Sequence, residues 1–375
     1  MIYLDYSATT PVNDEVLDTF IKCTKKFIGN SNSLHNLGVE SKSIIDSATK
    51  QIANLLNVKE NEIIYTSGAS EANNLAIKGI CDKYKNRGKH IITTHLEHSS
   101  IYGPIDYLKE NGYKVDYVKT YSNGLVDLTD LENLLTDDTI LVSISAVNSE
   151  IGIRQNVEEI AKIIKKFPKC FFHSDITQAI GKINIDISNI DLVSFSAHKF
   201  YGIKGIGALI KSEKIELTPL IQGGKSTTKY RSGTPSTALI VSMSKALRLS
   251  LENIESNEKY IKKLNEKIKE KLIKYEKLYI NSNEFSIPHI LNISIIGVKP
   301  ETMLHALESK NIYISTKSAC SSNDSKSKAV FALTNDIERS KSSIRISLSH
   351  LTTNEEIDEF ISAFDECYKK LTCLR

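Results

Sequence analysis

The sequence predicts an α/β fold with a mostly parallel central sheet flanked by helices, followed by a smaller α+β unit toward the C-terminus. Three observations carry that expectation. Short apolar runs recur between about residues 60 and 210, helix-patterned segments lie between several of them, and a different order of strands and helices follows a long charged helix. The apolar runs are "EIIYTS" at 62, "HIITTH" at 90, "KVDYVKT" at 114, "TILVSISAVNS" at 139, "CFFHSD" at 170, "DLVSFS" at 191 and "IGALI" at 206. Most have the length of strands buried within a sheet. The segments "SEANNLAIKGICDKYKNRG" and "VEEIAKIIKKFP" have helical spacing. In "YIKKLNEKIKEKLIKYEK", Ile261, Leu264, Ile268 and Leu272 repeat at helical spacing with lysines and glutamates between them, which predicts an amphipathic helix with a solvated basic face. "HILNISIIGV", "ETMLHALESKN" and "SSIRISLSH", then a helix from about Asn354, make up the smaller unit.

Composition narrows the function classes. Forty-eight basic residues against 45 acidic ones leave a net charge of +3, which gives no reason to expect nucleic acid or a membrane surface as a direct partner. The six cysteines, at 23, 81, 170, 320, 367 and 373, form neither a CxxC pair nor a cluster. A disulfide framework or a metal site is therefore not expected, and a reducing compartment is. The start "MIYLDYSATTPVNDEV" lacks the basic region and apolar run of a secretory signal and the Arg-rich character of a transit peptide, and no apolar run is long enough to span a membrane. A cytoplasmic location is the expectation.

In open α/β sheets ligands sit beyond the carboxyl ends of strands, so polar residues just after the apolar runs are the candidates for chemistry. "IIYT" leads into Ser67-Gly68-Ala69-Ser70-Glu71 and a helix. Free N–H groups at that helix start suit an anion, but taken alone the stretch reads first as an ordinary N-cap, with Ser67 or Ser70 capping the helix. Asp175 and Gln178 follow one apolar run, and Ser196, His198 and Lys199 follow the next, a strand-to-strand crossover later. A carboxylate and an amine at one sheet edge match the needs of pyridoxal phosphate: the amine joins the aldehyde, and the carboxylate keeps the ring nitrogen protonated. "YGIKGIG" precedes a strand instead of following one, so it is not a dinucleotide fingerprint, and "PLIQGGKST" has Pro219 where a phosphate-binding loop needs its first glycine. Cys320 lies in "STKSACSSNDSKSKAV", with almost nothing apolar to bury it, unlike most unpaired cysteines.

Nine stretches occur in the order seen in pyridoxal-phosphate cysteine desulfurases, which belong to the class V aminotransferase family: "YLDYSATTPV", "TSGASEANNLAIKG", "LEHSSI", "VNSEIGIRQ", "HSDITQAIGK", "SFSAHKFYGIKGIGAL", "RSGT", "SAC" and "SSIRISLSHLTT". The resemblance runs from Ile2 to about Ile361 and implies the type I fold of that cofactor's enzymes. It implies roles as well. Lys199 resembles the Schiff-base lysine that also moves the substrate's α-proton, and Asp175 the partner of the ring nitrogen. Gln178 would bond the ring hydroxyl, and His98 would stack on the ring. Ala69, Ser70, Ser196 and His198 would hold the phosphate, and Thr234 would reach it from the other subunit of a homodimer. Asn148 would touch cofactor and substrate, and Arg345 would clamp the carboxylate of L-cysteine with its forked donors. Cys320 resembles the nucleophile that takes the sulfur as a persulfide, leaving L-alanine, and an exposed polar loop supplies the access this requires. A sulfur-acceptor protein, in iron–sulfur cluster assembly or in tRNA and cofactor thiolation, would be the partner. The long loop resembles the group of desulfurases with extended mobile loops.

The resemblance further implies a large cofactor-binding domain over 15–255 and a small one built from 1–14 with 256–375, carrying the nucleophile loop around 315–330. The sequence departs from the family in three places. "GGKSTTKY" precedes "RSGT" where a Gln-Glu-Arg-like stretch is usual, "GNSNSLHNLG" has Ser31 and Asn32 where a proline is usual, and "SSNDSKSK" replaces apolar and Glu-Pro residues after Cys320. Two other readings stand beside the desulfurase: a selenocysteine lyase or other lyase or aminotransferase of the same fold, and a sulfur-transfer scaffold of low activity. Cys320 argues against an aminotransferase, since transamination needs no thiol.

Overall fold

The computed structural model describes residues 1–316 and 326–373, so Cys320 lies outside the described residues. A short strand, β1 (Ile2–Tyr3), opens the chain. The seven apolar runs follow as β2 (Ile63–Thr66), β3 (His90–Thr93), β4 (Lys114–Tyr117), β5 (Thr139–Ser143), β6 (Phe171–Asp175), β7 (Leu192–Ser196) and β8 (Gly207–Lys211). These seven form one sheet in the order β2-β8-β7-β6-β5-β3-β4. The pairs β7–β6, β6–β5, β5–β3 and β3–β4 are parallel, as expected, whereas β8 runs antiparallel to both its neighbours. The link 197–206 between β7 and β8 is too short for the helical crossover that a parallel pair requires. At the edge, β4 exposes Lys114, a charge that discourages further strand pairing.

Helices cover both faces. α1 (Asp14–Lys26), α2 (Asn36–Leu56), α3 (Ala69–Lys83), α4 (Ser99–Glu110), α5 (Leu128–Leu134), α6 (Val157–Ile164) and α7 (Thr237–Glu252) precede the long charged helix. Successive strand residues point to opposite faces. Ile63, Ile92, Val142, Val193 and Ile210 join the cluster beneath α2, α6 and α7, while Ile64, Ile91, Leu141, Leu192 and Leu209 join the cluster beneath α3 and α4. Caps fix where the helices begin. Asn13 accepts from Glu15 N and Val16 N at the start of α1, and Asn156 accepts from Glu159 N at the start of α6.

The remaining elements are α8 (Ile254–Leu272), β9 (Leu278–Ile280), β10 (Ile290–Ile295), α9 (Pro300–Glu308), β11 (Ile312–Tyr313), α10 (Lys328–Thr334), α11 (Ile337–Lys341), β12 (Ser343–Ser347) and α12 (Asn354–Cys373). β12, β10 and β9 form an antiparallel sheet, and β1 pairs in parallel with β11. The four periodic residues Ile261, Leu264, Ile268 and Leu272 are all buried against this sheet together with Phe360 and Phe364 of α12. Leu264→Ala would open a void there at a cost of about 2–5 kcal/mol. Ile2 and Leu4 belong to the same cluster. The chain then leaves it: Asp5 bridges to Ser347, Ser7 N donates to Ser347 Oγ at 2.9 Å, and Thr10 N donates to His198 O at 2.9 Å. Residues 5–10 thus run from the smaller sheet to the carboxyl edge of the larger one.

Candidate active site

A cavity of about 460 Å³ opens at that edge. Ten of the sequence-predicted residues line it: Ala69, Ser70, His98, Asn148, Asp175, Gln178, Ser196, His198, Lys199 and Arg345 from the strand ends and helix starts, with the N-terminal segment Ser7–Thr9 closing one side; Thr234 does not line it.

 Ser67 also lines the cavity, and its surroundings decide between the two readings of that helix start. Gly68 occupies the N-cap of α3 and no side chain caps the helix, so neither Ser67 nor Ser70 acts as a cap and the first-turn N–H groups are left for an anion. Gly68 has φ of 155°, and a Cβ there would meet Ser196 Oγ at 3.2 Å. Gly207 is tighter still: a Cβ would stand 2.4 Å from Phe195 O and 2.8 Å from Gly68 Cα. Only glycine allows this close approach of β8 to the helix start.

Asp175 ends β6 with both oxygens engaged. Oδ1 accepts from Thr177 N at 2.8 Å, and Oδ2 accepts from Asn73 Nδ2 at 2.8 Å. The same Asn73 amide donates to Ser100 Oγ at 2.9 Å, and that hydroxyl bonds His98 Nδ1 at 2.8 Å. Ser100 N also donates to Nδ1, so Nδ1 is an acceptor and a neutral ring carries its proton on Nε2. Burial pushes the His98 imidazole below its ordinary value, against the pull of Asp175. Asn73 therefore links the carboxylate to the imidazole from the buried face of α3, a role that no local pattern in the sequence marks.

Lys199 follows β7, and its Nζ donates to Ser7 O at 2.5 Å and Ala8 O at 2.8 Å. Gln178 Nε2 donates to Ser7 O at 2.9 Å. His198 bonds Thr9 Oγ1 through Nδ1 at 3.1 Å, and burial with the nearby Lys199, Lys204 and Lys182 pushes its imidazole down to about 4. Asn148 uses its amide to shape the turn after β5, donating to Leu96 O at 2.6 Å and accepting from Glu150 N and Ile151 N at 2.8 Å. Arg345 enters from β12, 1% exposed. Its Nη1 donates to Ser149 O at 2.9 Å and its Nη2 to Asp5 Oδ1 at 2.8 Å. Thr234 lies outside the cavity of its own chain, in a neighbouring depression with Ser67, Arg231 and Gly233.

The donor set fits pyridoxal phosphate. Uncapped N–H groups face the place for a phosphate, an amine and a carboxylate stand on one floor, and two polar atoms lining the cavity, Thr177 Oγ1 and Arg345 Nε, are buried with no hydrogen-bond partner among the described residues. Thr177, Asn73, Asp5 and the carbonyls of Ser7 and Ala8 escaped the sequence reading, because their parts in the site arise from contacts between distant segments.

Comparison with known proteins agrees with this geometry. The family model for aminotransferase class-V matches residues 2–360. The chain is 40% identical over 379 residues to a protein named cysteine desulfurase IscS from Buchnera aphidicola subsp. Baizongia pistaciae, covering 99% of this chain and 93% of that protein. Among solved structures, a NifS-like protein superposes with a TM-score of 0.92 at 34% identity, covering 99% of both chains. SspA in complex with cysteine superposes with a TM-score of 0.82 at 30% identity, covering 94% of this chain and 100% of that one.

Proposed function

We propose that this chain, which belongs to the aminotransferase class-V family, is a cysteine desulfurase that uses pyridoxal phosphate to convert L-cysteine to L-alanine and places the sulfur on Cys320. The observation that carries the reading is the meeting of Lys199, Asp175, His98, Gln178 and Arg345 around one cavity beside an uncapped helix start. L-cysteine as substrate is supported by the likeness to SspA, whose structure holds cysteine. The resemblance of "SAC" to the family's nucleophile motif supports the role of Cys320.

Ala69, Ser70, Ser196 and His198 would hold the phosphate, Asp175 the ring nitrogen and Gln178 the ring hydroxyl, with His98 against the ring. Once bound, the cofactor supplies an electron sink for carbanion chemistry at the substrate's α-carbon. This chain's own groups do the rest. Arg345 orients the substrate by its carboxylate, and its buried position excludes water from that contact. Lys199 Nζ takes and returns the proton at the α-carbon. The Nε2–H of His98 gives the imidazole a proton to donate on the cavity side. The thiolate of Cys320 attacks the substrate's sulfur; an S–S bond forms, the C–S bond breaks with its electron pair staying on carbon, and that carbon gains a proton. The balance is cysteine plus thiol giving alanine plus persulfide.

The proposal includes a homodimer in which Thr234 of one chain serves the other's cavity. Its position outside its own cavity supports this, as do the exposed apolar side chains Ile28, Leu34 and Val39. The division into 15–255 and 1–14 with 256–375 is supported by the packing of Ile2 and Leu4 with α8 and α12. Among the described residues no helix is long and apolar enough to cross a membrane. A cytoplasmic site of action and a sulfur-acceptor protein in iron–sulfur cluster assembly complete the reading. The IscS name of the Buchnera relative supports the latter.

Brief exposure of the holoenzyme to L-cysteine without reductant, followed by peptide mass spectrometry, tests the whole. One extra sulfur on the Cys320 peptide, absent from Cys320→Ala, is the expected result. Holoenzyme whose Cys320 stays unmodified would refute it.

A further inference from the structure

Beneath the cavity lies a lysine that this mechanism does not use. Lys182 is 8% exposed, and its Nζ donates to Gln178 Oε1 at 2.5 Å. The same amide donates from Nε2 to Ser7 O, the carbonyl that also accepts from Lys199 Nζ. The Ser7 carbonyl can only accept, so it takes the Nε2 end of the Gln178 amide, and Lys182 Nζ, donating to the other end, holds Oε1 in place. With Oε1 held by Lys182 and one N–H given to Ser7, the second N–H is the polar group that Gln178 has left for the cavity it lines.

We propose that Lys182 is a positioning residue that locks the Gln178 amide so that it presents a donor, and not an acceptor, to the ring hydroxyl of the bound cofactor. The inference rests on the reading of the cavity as a pyridoxal-phosphate site. Two further observations support it. Burial pushes the Lys182 amine well below its ordinary range, and the cations Lys199 and Arg345 push it in the same direction. The amine donates to Oε1 in either protonation state. The two histidines that feel its charge, His289 and His198, are themselves pushed down, by burial first. Among the described residues Lys182 has no carboxylate partner at ion-pair distance. A buried lysine without a counter-charge destabilises a fold, and among the described residues the side chain it bonds is Gln178.

The test reads the pH midpoint of the bound cofactor's visible absorbance, together with the cofactor's dissociation constant, in holoenzyme carrying Lys182→Met, Gln178→Leu or both. A donor on the ring hydroxyl favours its ionised form, so loss of that donor moves the midpoint to higher pH, by roughly half to one pH unit for one hydrogen bond. Cofactor binding should weaken by about three- to ten-fold. Both single variants should shift upward, and the double variant should shift no further than Gln178→Leu, because Lys182 acts through the amide. Lys182→Gln, which keeps an N–H donor, should bring the midpoint back toward that of the parent, and it stands in should Lys182→Met fail to fold. An unmoved midpoint in Lys182→Met, no recovery in Lys182→Gln, or shifts that add in the double variant would overturn the proposal. An unmoved midpoint in Gln178→Leu would overturn the assignment of Gln178 to the ring hydroxyl as well, which tells the two failures apart.

Discussion

The cavity has two walls of different construction. At the end of β6 and the beginnings of α3 and α4, Asp175, Asn73, Ser100 and His98 are joined in a continuous series of hydrogen bonds of 2.8–2.9 Å, and all belong to one sheet and the helices packed on it. On the other side Arg345 comes from β12, Asp5 from the N-terminal segment and Ser149 from the turn after β5. The first wall takes its geometry from parallel strands in register. The second depends on three distant parts of the chain meeting. On this reading the chemistry belongs to the wall that the sheet makes rigid, and substrate recognition belongs to the wall that is assembled.

The comparison can be broken most sharply at Lys199. Lys199→Ala should lower turnover by on the order of 1,000-fold or more, and borohydride reduction should no longer fix cofactor to the chain, while thermal unfolding stays close to that of the parent. Arg345→Lys acts on the other wall. It keeps the charge and loses the fork, so KM for L-cysteine should rise by roughly 10- to 100-fold, with kcat changed far less. Steady-state kinetics showing the opposite split would reverse the roles of the two walls.

The smallest effect on activity is expected at Glu97, which sharpens the contrast by testing how the sheet wall is held. Its Oε1 accepts from Thr94 Oγ1 at 2.7 Å, and its Oε2 accepts from Ser145 N at 3.0 Å, so it ties the end of β3 to the end of β5. Burial pushes its carboxyl up to about 7, although the hydrogen bonds from Ser145 and Thr94 pull the other way. A carboxyl that titrates higher in the folded than in the unfolded chain binds more protons when folded, so this contribution falls as pH rises from the ordinary value of 4.5 to about 7. Relative to the parent, Glu97→Gln should gain stability between those two pH values, by on the order of 3 kcal/mol. Denaturant melts on either side of the window would show it, and a difference independent of pH would contradict it.

The same contrast decides what could be read in the sequence. Lys199, Asp175 and Gln178 are legible because each follows an apolar run, and an α/β sheet sends the ends of such runs to one edge. The strand pattern predicted seven strands but not the reversed direction of β8, since "IGALI" reads alike in either sense and only the short link 197–206 sets it. Ser67 and Ser70 have the composition of caps, yet Gly68 holds that place with φ of 155°, and Gly207 of β8 lies too close to it to carry a side chain. Arg345 was reached through family resemblance alone. Nothing around it announces that a strand near the end of the chain returns to the first sheet. Asn73 and Lys182 were missed for a related reason: both are polar residues whose burial comes from tertiary packing, and their periodicity resembles that of an ordinary surface.

Segment 5–10 also has a consequence for the order of assembly. Its partners at Ser347 and His198 lie some 340 and 190 positions later along the chain, as the contacts Ser7–Ser347 and Thr10–His198 measure, and so are synthesised after it. Such a contact must wait for most of the chain to leave the ribosome, and closing so long a loop is entropically costly until both sheets exist. The segment that supplies Ser7 and Ala8 to Lys199 is thus made well before its partners at His198 and Ser347 and is locked only after them. A nascent chain can fold its parallel strands well before it can close the cavity between them and β12, so the wall that Arg345 brings is absent until β12 is made.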